Sequence, residues 1–324
     1  MTRGEHAVVT GGAGFVGSHL VDRLLEDGFR VTSIDNYGSG RRENLEHLSD
    51  EAGFTELEHD IREPLPEFKN VDQIYHFASR ASPADFKSHA IEIAQTNSQG
   101  TRNVYDLAIE HYAQLVIAST SEIYGDPEVH PQSEEYSGNV NVRGPRAPYD
   151  ESKRFAEALA VAYAQRYEFD ARILRIFNTY GPRMRNDDGR VIPNFLSQAI
   201  QGKDLTVYGD GTQTRSFCYV DDLVEGIRRI GGAESERVAN TVFNIGHTHE
   251  ITINTLAETV LDTVDTSSEI VHIDRPTEDP DYRQPNIDRI QSTLDWEPTV
   301  DLHTGLDRTI SYFERELGAM TPDS

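Results

Sequence analysis

The sequence predicts an α/β protein: a doubly wound, parallel sheet with a smaller C-terminal substrate-binding domain. Two observations carry this. Short apolar runs alternate with segments of helical periodicity as far as Asn178, the pattern of strands buried on both faces beneath right-handed crossover helices. A glycine-rich turn lies between the first run and the first helical segment. After Asn178 the alternation gives way to loops rich in Gly, Pro and Asp. The expected division is therefore 1–178 for the sheet domain and 179–324 for the second, with a strand near 242–246 rejoining the first. No internal repeat or low-complexity linker interrupts either part.

Each element has its own signal. Ala7-Val8-Val9 is the first strand, and Leu20, Val21, Leu24 and Leu25 mark the first helix. Between them Gly11, Gly14 and Gly17 form G-x-x-G-x-x-G, which in a strand–turn–helix setting is the fingerprint of a Rossmann dinucleotide site. Gly11 allows the tight turn, Gly14 lets a diphosphate approach the backbone, and Gly17 lets the helix lie close to its strand. The helix N-terminus, at Phe15 and Val16, then faces that diphosphate. Val31 to Asp35 is the second strand, and its acid stands 24 residues after Gly11, about where a ribose-binding carboxylate belongs. Asp35, with Asn36 beside it, would accept from the ribose hydroxyls and repel a 2′-phosphate, favouring NAD over NADP. Arg41 and Arg42 pull the other way and are outweighed, because Asp35 ends the strand where the ribose lies.

A short helix to about Leu48 precedes the third strand, Phe54 to Glu58. Beyond it Asp60, next to Ile61, is placed either to meet the adenine amino group or to cap a turn. The fourth strand ends at Ala78, small enough for a cofactor to pass, and a helix over Thr96 to Tyr112 follows. The fifth strand, Leu115 to Ala118, runs into Ser119-Thr120-Ser121-Glu122. Polar groups at a strand's carboxyl end stand where open α/β sheets bind ligands, although hydroxyl-rich turns also cap helices. Pro148 can open the next helix. On it Tyr149 and Lys153, at i and i+4, share a face. That helix is apolar nearly all round from Phe155 to Tyr163, which predicts burial on both sides, one against the sheet and one against a second copy in a homodimer. Ala171 to Phe177 is the sixth strand, and helices near Asp288–Leu294 and Thr304–Leu317 end the chain.

Composition bounds the function. The 324 residues carry 55 acidic and 30 basic side chains, a net charge of −25. Only four of the basic residues are lysines (Lys69, Lys87, Lys153, Lys203). Such a surface opposes nucleic acid and anionic membranes, and its poverty in lysine points to salt adaptation, a halophilic protein whose self-repulsion is screened. Cys218 is the single cysteine, so no intrachain disulfide forms and a reducing compartment is expected. No apolar run approaches the ~18 residues of a membrane span, and a cytoplasmic protein is expected. Asp187-Asp188 and His247/His249 lack a ligand frame, so no metal is expected. A nucleotide ligand would require a local positive island, for which Arg183, Arg185, Arg190 and Arg215 are the candidates.

Taken together, the glycine fingerprint, Asp35, Thr120 and the Tyr149/Lys153 pair resemble the extended short-chain dehydrogenase/reductase family, in its NAD-dependent epimerase/dehydratase, nucleotide-sugar branch. The resemblance covers nearly the whole chain. It sharpens toward the UDP-glucuronate decarboxylases on Ser119 to Pro127, His130-Pro131-Gln132, Tyr149 to Arg154, Arg175 to Met184 and Asp188 to Val191, and further on Leu205 to Gly209, Gln213 to Phe217, Asp279-Pro280, Arg283 and Trp296-Glu297-Pro298. Ser137 stands where the family usually has Trp, and Asn286 where an acid is usual. The resemblance implies tightly bound NAD and a 4-keto intermediate, with UDP-glucuronate converted to UDP-xylose without net oxidation. Tyr149 would be the base, its pKa lowered from ~10 by Lys153 and the nicotinamide charge, and Thr120 would bond the reacting hydroxyl. The family's second catalytic pair is expected at Glu122 and Arg215. Asn178, Arg190 and Arg283 would hold the nucleotide diphosphate. A 4-epimerase and a 4,6-dehydratase are the rival enzymes; the second needs an acid where this chain has Ser121. A non-catalytic NAD-binding regulator is the remaining alternative.

Overall fold

A computed structural model describes residues 4–274 and 280–319; Asp279, part of the resemblance above, lies outside the described residues. Seven strands form one parallel sheet: β1 (His6–Thr10), β2 (Arg30–Asp35), β3 (Phe54–Glu58), β4 (Gln73–His76), β5 (Gln114–Thr120), β6 (Ala171–Ile176) and β7 (Thr241–Ile245). Their spatial order is β7-β6-β5-β4-β1-β2-β3. The order reverses between β1 and β4, so the loops leaving these two strands part and open a crevice at the carboxyl edge. The expected strand near 242–246 is β7, paired in parallel with β6 from Thr241↔Arg172 to Ile245↔Ile176.

Both faces of the sheet are covered, which is why β1 and β5 read as unbroken apolar runs. Ala7, Val9, Val116 and Leu174 belong to one core; Val8, Leu115, Ile117 and Ile173 belong to the other. Successive side chains of a strand point to opposite faces, so each run feeds both layers. Helices Phe15–Glu26 and Val220–Gly232 pack together over one face, and Thr101–His111 and Ala147–Arg166 over the other. The first core continues without a break into the second part of the chain, through Phe195, Leu256 and Trp296. Trp296 is buried and donates to the Asp222 carbonyl at 3.0 Å, while the Asp222 carboxylate accepts from the Thr299 and Val300 amides. The Trp-Glu-Pro segment is thereby fastened to helix Val220–Gly232.

Two local expectations are corrected. The helix expected at Thr96 begins at Ala90 and passes through a π turn, Thr96–Gly100, before the regular Thr101–His111. Its first turn carries an exposed Ile91 and so shows no apolar stripe. The helix expected before Leu48 is two 3₁₀ turns, Arg42–Asn44 and Glu46–Leu48. The helix carrying Tyr149 is buried on its sheet side, and Phe155 and Val161 on the other side are 48% and 55% exposed. No described residue covers that face.

Candidate active site

The crevice is lined first by the glycine turn. Gly11 has φ +73°, and a Cβ there would lie 2.6 Å from the Ala78 amide nitrogen. A Cβ on Gly17 would collide with the Gly11 carbonyl oxygen. Side chains at these positions would close the space and push the helix from its strand, so both glycines are required by contact, and Gly11 by backbone angle as well. Phe15 and Val16 line the same crevice. Asp35, at the end of β2, accepts from the Ala13 and Tyr37 amides at 3.0 and 2.9 Å, which aims its carboxylate across the turn. Burial pushes its pKa up while those amides oppose the rise. Asp35, Asn36, Asp60, Ile61 and Ala78 line one adjoining recess. In it Asp60 is held by Arg62 and, at 3.1 Å, by the Asn36 amide, and the Arg62 guanidinium keeps its carboxyl well below the usual range. Arg41 is tied to Glu316 at 2.8 Å, and Arg42 to Glu56 and Glu58. Neither arginine is left to attract a 2′-phosphate, and the pocket fits the NAD expected of it.

At the carboxyl end of β5 the reactive groups come together. Tyr149 is 5% exposed and stacks on Phe86 with ring centroids 4.8 Å apart. Thr120 lies beside its phenol as a hydrogen-bond partner, and Thr120 Oγ1 also accepts from the Glu122 amide at 3.2 Å. Lys153 donates to the Ala118 carbonyl at 2.8 Å and sits 6.0 Å from the Tyr149 ring centroid. The expected lowering of the tyrosine pKa is not a property of the protein alone. Burial pushes Tyr149 up to about 12 and Lys153 down to about 8, since removal from water penalises each charged form.

Glu122 differs from expectation in its partners. The structure pairs it with Arg283, at 2.5 Å, and with Arg146, not with Arg215. Burial favours its neutral form, but the two guanidiniums hold its carboxyl well below the usual range. Arg215 is 7% exposed and donates to the Thr214, Pro280 and Asp281 carbonyls at 2.8, 2.7 and 3.2 Å. It therefore braces the segment that delivers Arg283. Sequence spacing could not separate two arginines that arrive from distant loops. Arg146 was also missed, although it lies three residues before Tyr149 on the opening turn of one helix, the signal that could have found it. Phe86 sits in a loop with no motif.

Beside the reactive cluster a cavity of about 520 Å³ is lined by Phe86, Asn178, Arg190, Phe217, Arg215 and Arg283 among others. Arg190 is anchored by Asp188 at 3.1 Å and by the Ala81 carbonyl at 2.5 Å. The buried Asn178 Nδ2 and Arg283 Nη2 have no partner within the protein, the state of donors that await a ligand's oxygens. Arg183 and Arg185 line the cofactor side, completing a positive island in an acidic chain. Ser137 and Asn286 line neither cavity; Asn286 accepts from the Asp288 amide at 2.9 Å, just ahead of helix Asp288–Leu294. Among the described residues no three metal-ligating side chains stand together, and no helix is long and apolar enough to cross a membrane.

A model of the NAD dependent epimerase/dehydratase family matches residues 7–246. The chain belongs to that family. Within this epimerase/dehydratase family it is similar to UDP-glucuronic acid decarboxylase 1 of Xenopus tropicalis, 48% identical over 97% of this chain and 73% of that one. It is also 48% identical to UDP-glucuronic acid decarboxylase 1 of Arabidopsis thaliana, over 96% of this chain and 70% of the relative. Among solved structures, UDP-glucuronic acid 4-epimerase from Bacillus cereus, in complex with UDP-glucuronic acid and NAD, superposes with a TM-score of 0.86 at 25% identity, covering 96% of this chain and 99% of that one.

Proposed function

We propose that this protein decarboxylates UDP-glucuronate to UDP-xylose through a 4-keto sugar, with NAD resident throughout. One observation carries the reading: the Tyr149–Thr120–Lys153 cluster and an arginine-clamped Glu122 border the same cavity. Tyr149 takes the proton of the sugar 4-hydroxyl, which Thr120 orients. Lys153, held by the Ala118 carbonyl, lies on the tyrosine's flank, where its ammonium stabilises the phenolate. NAD, which the glycine turn and Asp35 would hold, would supply reversible hydride acceptance at C4. Once C4 is a ketone, the carboxylate lies β to it, so the C5–C6 bond breaks with its electron pair delocalised into the enolate. Glu122, with Arg146 and Arg283, orients the ring and serves the carboxylate end, while Asn178 and Arg190 hold the diphosphate. Arg215 supports these groups from the wall.

Two observations weigh against the rivals. Ser121 occupies the place of the acid that a 4,6-dehydratase needs, and a serine hydroxyl cannot protonate a leaving hydroxide near neutral pH. A non-catalytic regulator has no need of an intact, buried tyrosine–lysine pair. The 4-epimerase shares the tyrosine chemistry and is the reading to test. Incubation with UDP-glucuronate should yield UDP-xylose and carbon dioxide with no net NADH. Formation of UDP-galacturonate with the carboxylate retained would make the protein an epimerase.

The same reading takes the protein to be a cytoplasmic, halophilic homodimer, with residues 1–178 carrying the cofactor and 179–324 most of the sugar-nucleotide site. Its support is the acidic, lysine-poor composition and the exposed Phe155 and Val161 on the helix behind the active site. Screening in molar KCl should raise both the thermal midpoint and the dimer fraction read by light scattering. Equal stability and a monomer at every salt concentration would defeat both statements.

A further inference from the structure

Decarboxylation consumes a proton. Tyr149 returns to C4 oxygen the proton it removed, and the hydride also returns, so neither supplies the new C5–H bond. The balance is a glucuronate carboxylate plus one proton giving the pentose and carbon dioxide. On the decarboxylase reading that proton must enter from solvent at every turnover. Glu122 faces the reacting sugar, yet two guanidiniums favour its ionised form, so it holds no proton in reserve.

Behind Glu122, away from Tyr149, lies a separate cavity of about 390 Å³, lined by Glu122, Asp126, Asn139, Arg146, Asp150 and Arg283 among others. Asp126, Asn139 and Asn141 at its rim are exposed. Asp150 forms its inner wall, follows Tyr149 on the same helix, and is 5% exposed. Its Oδ1 is buried with no hydrogen-bond partner among the described residues, a condition far more costly for a charged carboxylate than for a carboxyl that keeps its proton. Among the described residues, Glu122 is the one acid that lines both this cavity and the two that meet at the reactive cluster.

We propose that Asp150 is the proton reservoir of the reaction, loaded from solvent through this rear cavity and discharging through Glu122 to C5 of the enolate. As carbon dioxide leaves, the electron pair of the broken C5–C6 bond passes into the enolate. Asp150 passes its proton to Glu122, and Glu122 delivers it to C5 as the enolate collapses to the ketone. Water at the rim then reloads Asp150. The groups around Asp150 favour this role. Burial first, then the neighbouring negative charge of Glu122, raise its pKa, with Glu151 adding to the rise and Arg146 and Arg283 opposing it. Among the described residues Asp126 is the further acid on that cavity. Asp150 acts through Glu122 and is a positioning residue for the proton, not a group that touches the sugar.

The test is Asp150→Asn, nearly isosteric and unable to give up a proton, assayed across pH with UDP-glucuronate beside Asp150→Glu. With Asp150 as reservoir, Asp150→Asn lowers kcat by about 10²-fold with KM little changed. It also abolishes the alkaline fall in kcat that deprotonation of Asp150 imposes on the wild type, and Asp150→Glu restores turnover with that limb displaced. The folded state raises this carboxyl's pKa, so ionised Asp150 costs stability as pH rises; Asp150→Asn should melt no lower than wild type at alkaline pH, which separates lost relay from lost fold. A wild-type kcat and an unchanged alkaline limb in Asp150→Asn would overturn the proposal while the decarboxylase reading stood. A wild-type protein that releases no carbon dioxide would overturn that reading, and the proposal with it.

Discussion

Tyr149→Phe is expected to lower kcat by about 10³-fold and to leave NAD affinity unchanged. The phenol hydroxyl is the one group in the cluster with the chemistry to take the sugar's proton. Thr120 is too weak an acid to hold a useful anion, and Lys153 is turned onto the Ala118 carbonyl at 2.8 Å. Removing one oxygen disturbs little else, because the Tyr149 ring keeps its stack on Phe86 and the helix keeps its buried face. The loss should therefore fall on kcat, with NAD titration and thermal midpoint as controls. The phenol is pushed up to about 12 by burial, so in wild type kcat should rise with pH until the base is formed, at a pH brought down by the charge the cofactor adds. Lys153→Met should move that rise to higher pH, since the ammonium stabilises the phenolate. A fully active Tyr149→Phe would remove the residue from the mechanism.

What the sequence made legible follows from which features are local. The parallel strands were readable because a strand buried on both faces is apolar throughout, as in Ala7 to Val9 and Leu115 to Ala118. The glycine turn and the Tyr149/Lys153 pair were readable because their geometry is set within a few residues, by a turn or by one helix face. Partnerships made across the fold were not. Glu122 meets Arg283, 161 residues away in the chain, and nothing in the spacing of either distinguishes Arg283 from Arg215, which enters the same wall and ends on backbone carbonyls. Resemblance pointed to Glu122 with Arg215, and the fold sets Arg283 and Arg146 against the acid instead. Nor was the charge state of the site legible. A buried tyrosine beside a lysine reads as an activated base, yet burial weakens both charges until the cofactor arrives, a balance that depends on desolvation. The helix over Phe155 to Val161 shows the reverse limit: apolar composition announces that a face will be covered, and says nothing of whether the chain itself covers it.

The distinction between the two arginines has a measurable consequence. Arg283→Met should reduce kcat by about 10²-fold, of the order seen when one charged stabilising group is removed from a reaction centre, whereas Arg215→Lys should act chiefly on KM. Glu122 is 16% exposed and shares its charge between Arg283 and Arg146. Deleting one partner of a buried pair costs about 3–5 kcal/mol when no other remains, and Arg146 retains part of that. Stability should respond to pH in a definite sense. Glu122 is depressed in the folded protein, so its pairing contributes stability that is full above the carboxyl's ordinary pKa and is lost as pH falls through the depressed one. Arg283→Met raises that folded pKa, so the gap in thermal midpoint between wild type and variant should be widest near neutrality and close in acid. Arg215→Lys keeps the charge but loses the fork that grips the Pro280 and Asp281 carbonyls. Its effect should reach the sugar through the looser placement of Arg283, and the acid dependence of stability should stay that of the wild type. If Arg215→Lys lost turnover as deeply as Arg283→Met, with the same pH signature, the acid's working partner would be Arg215 after all.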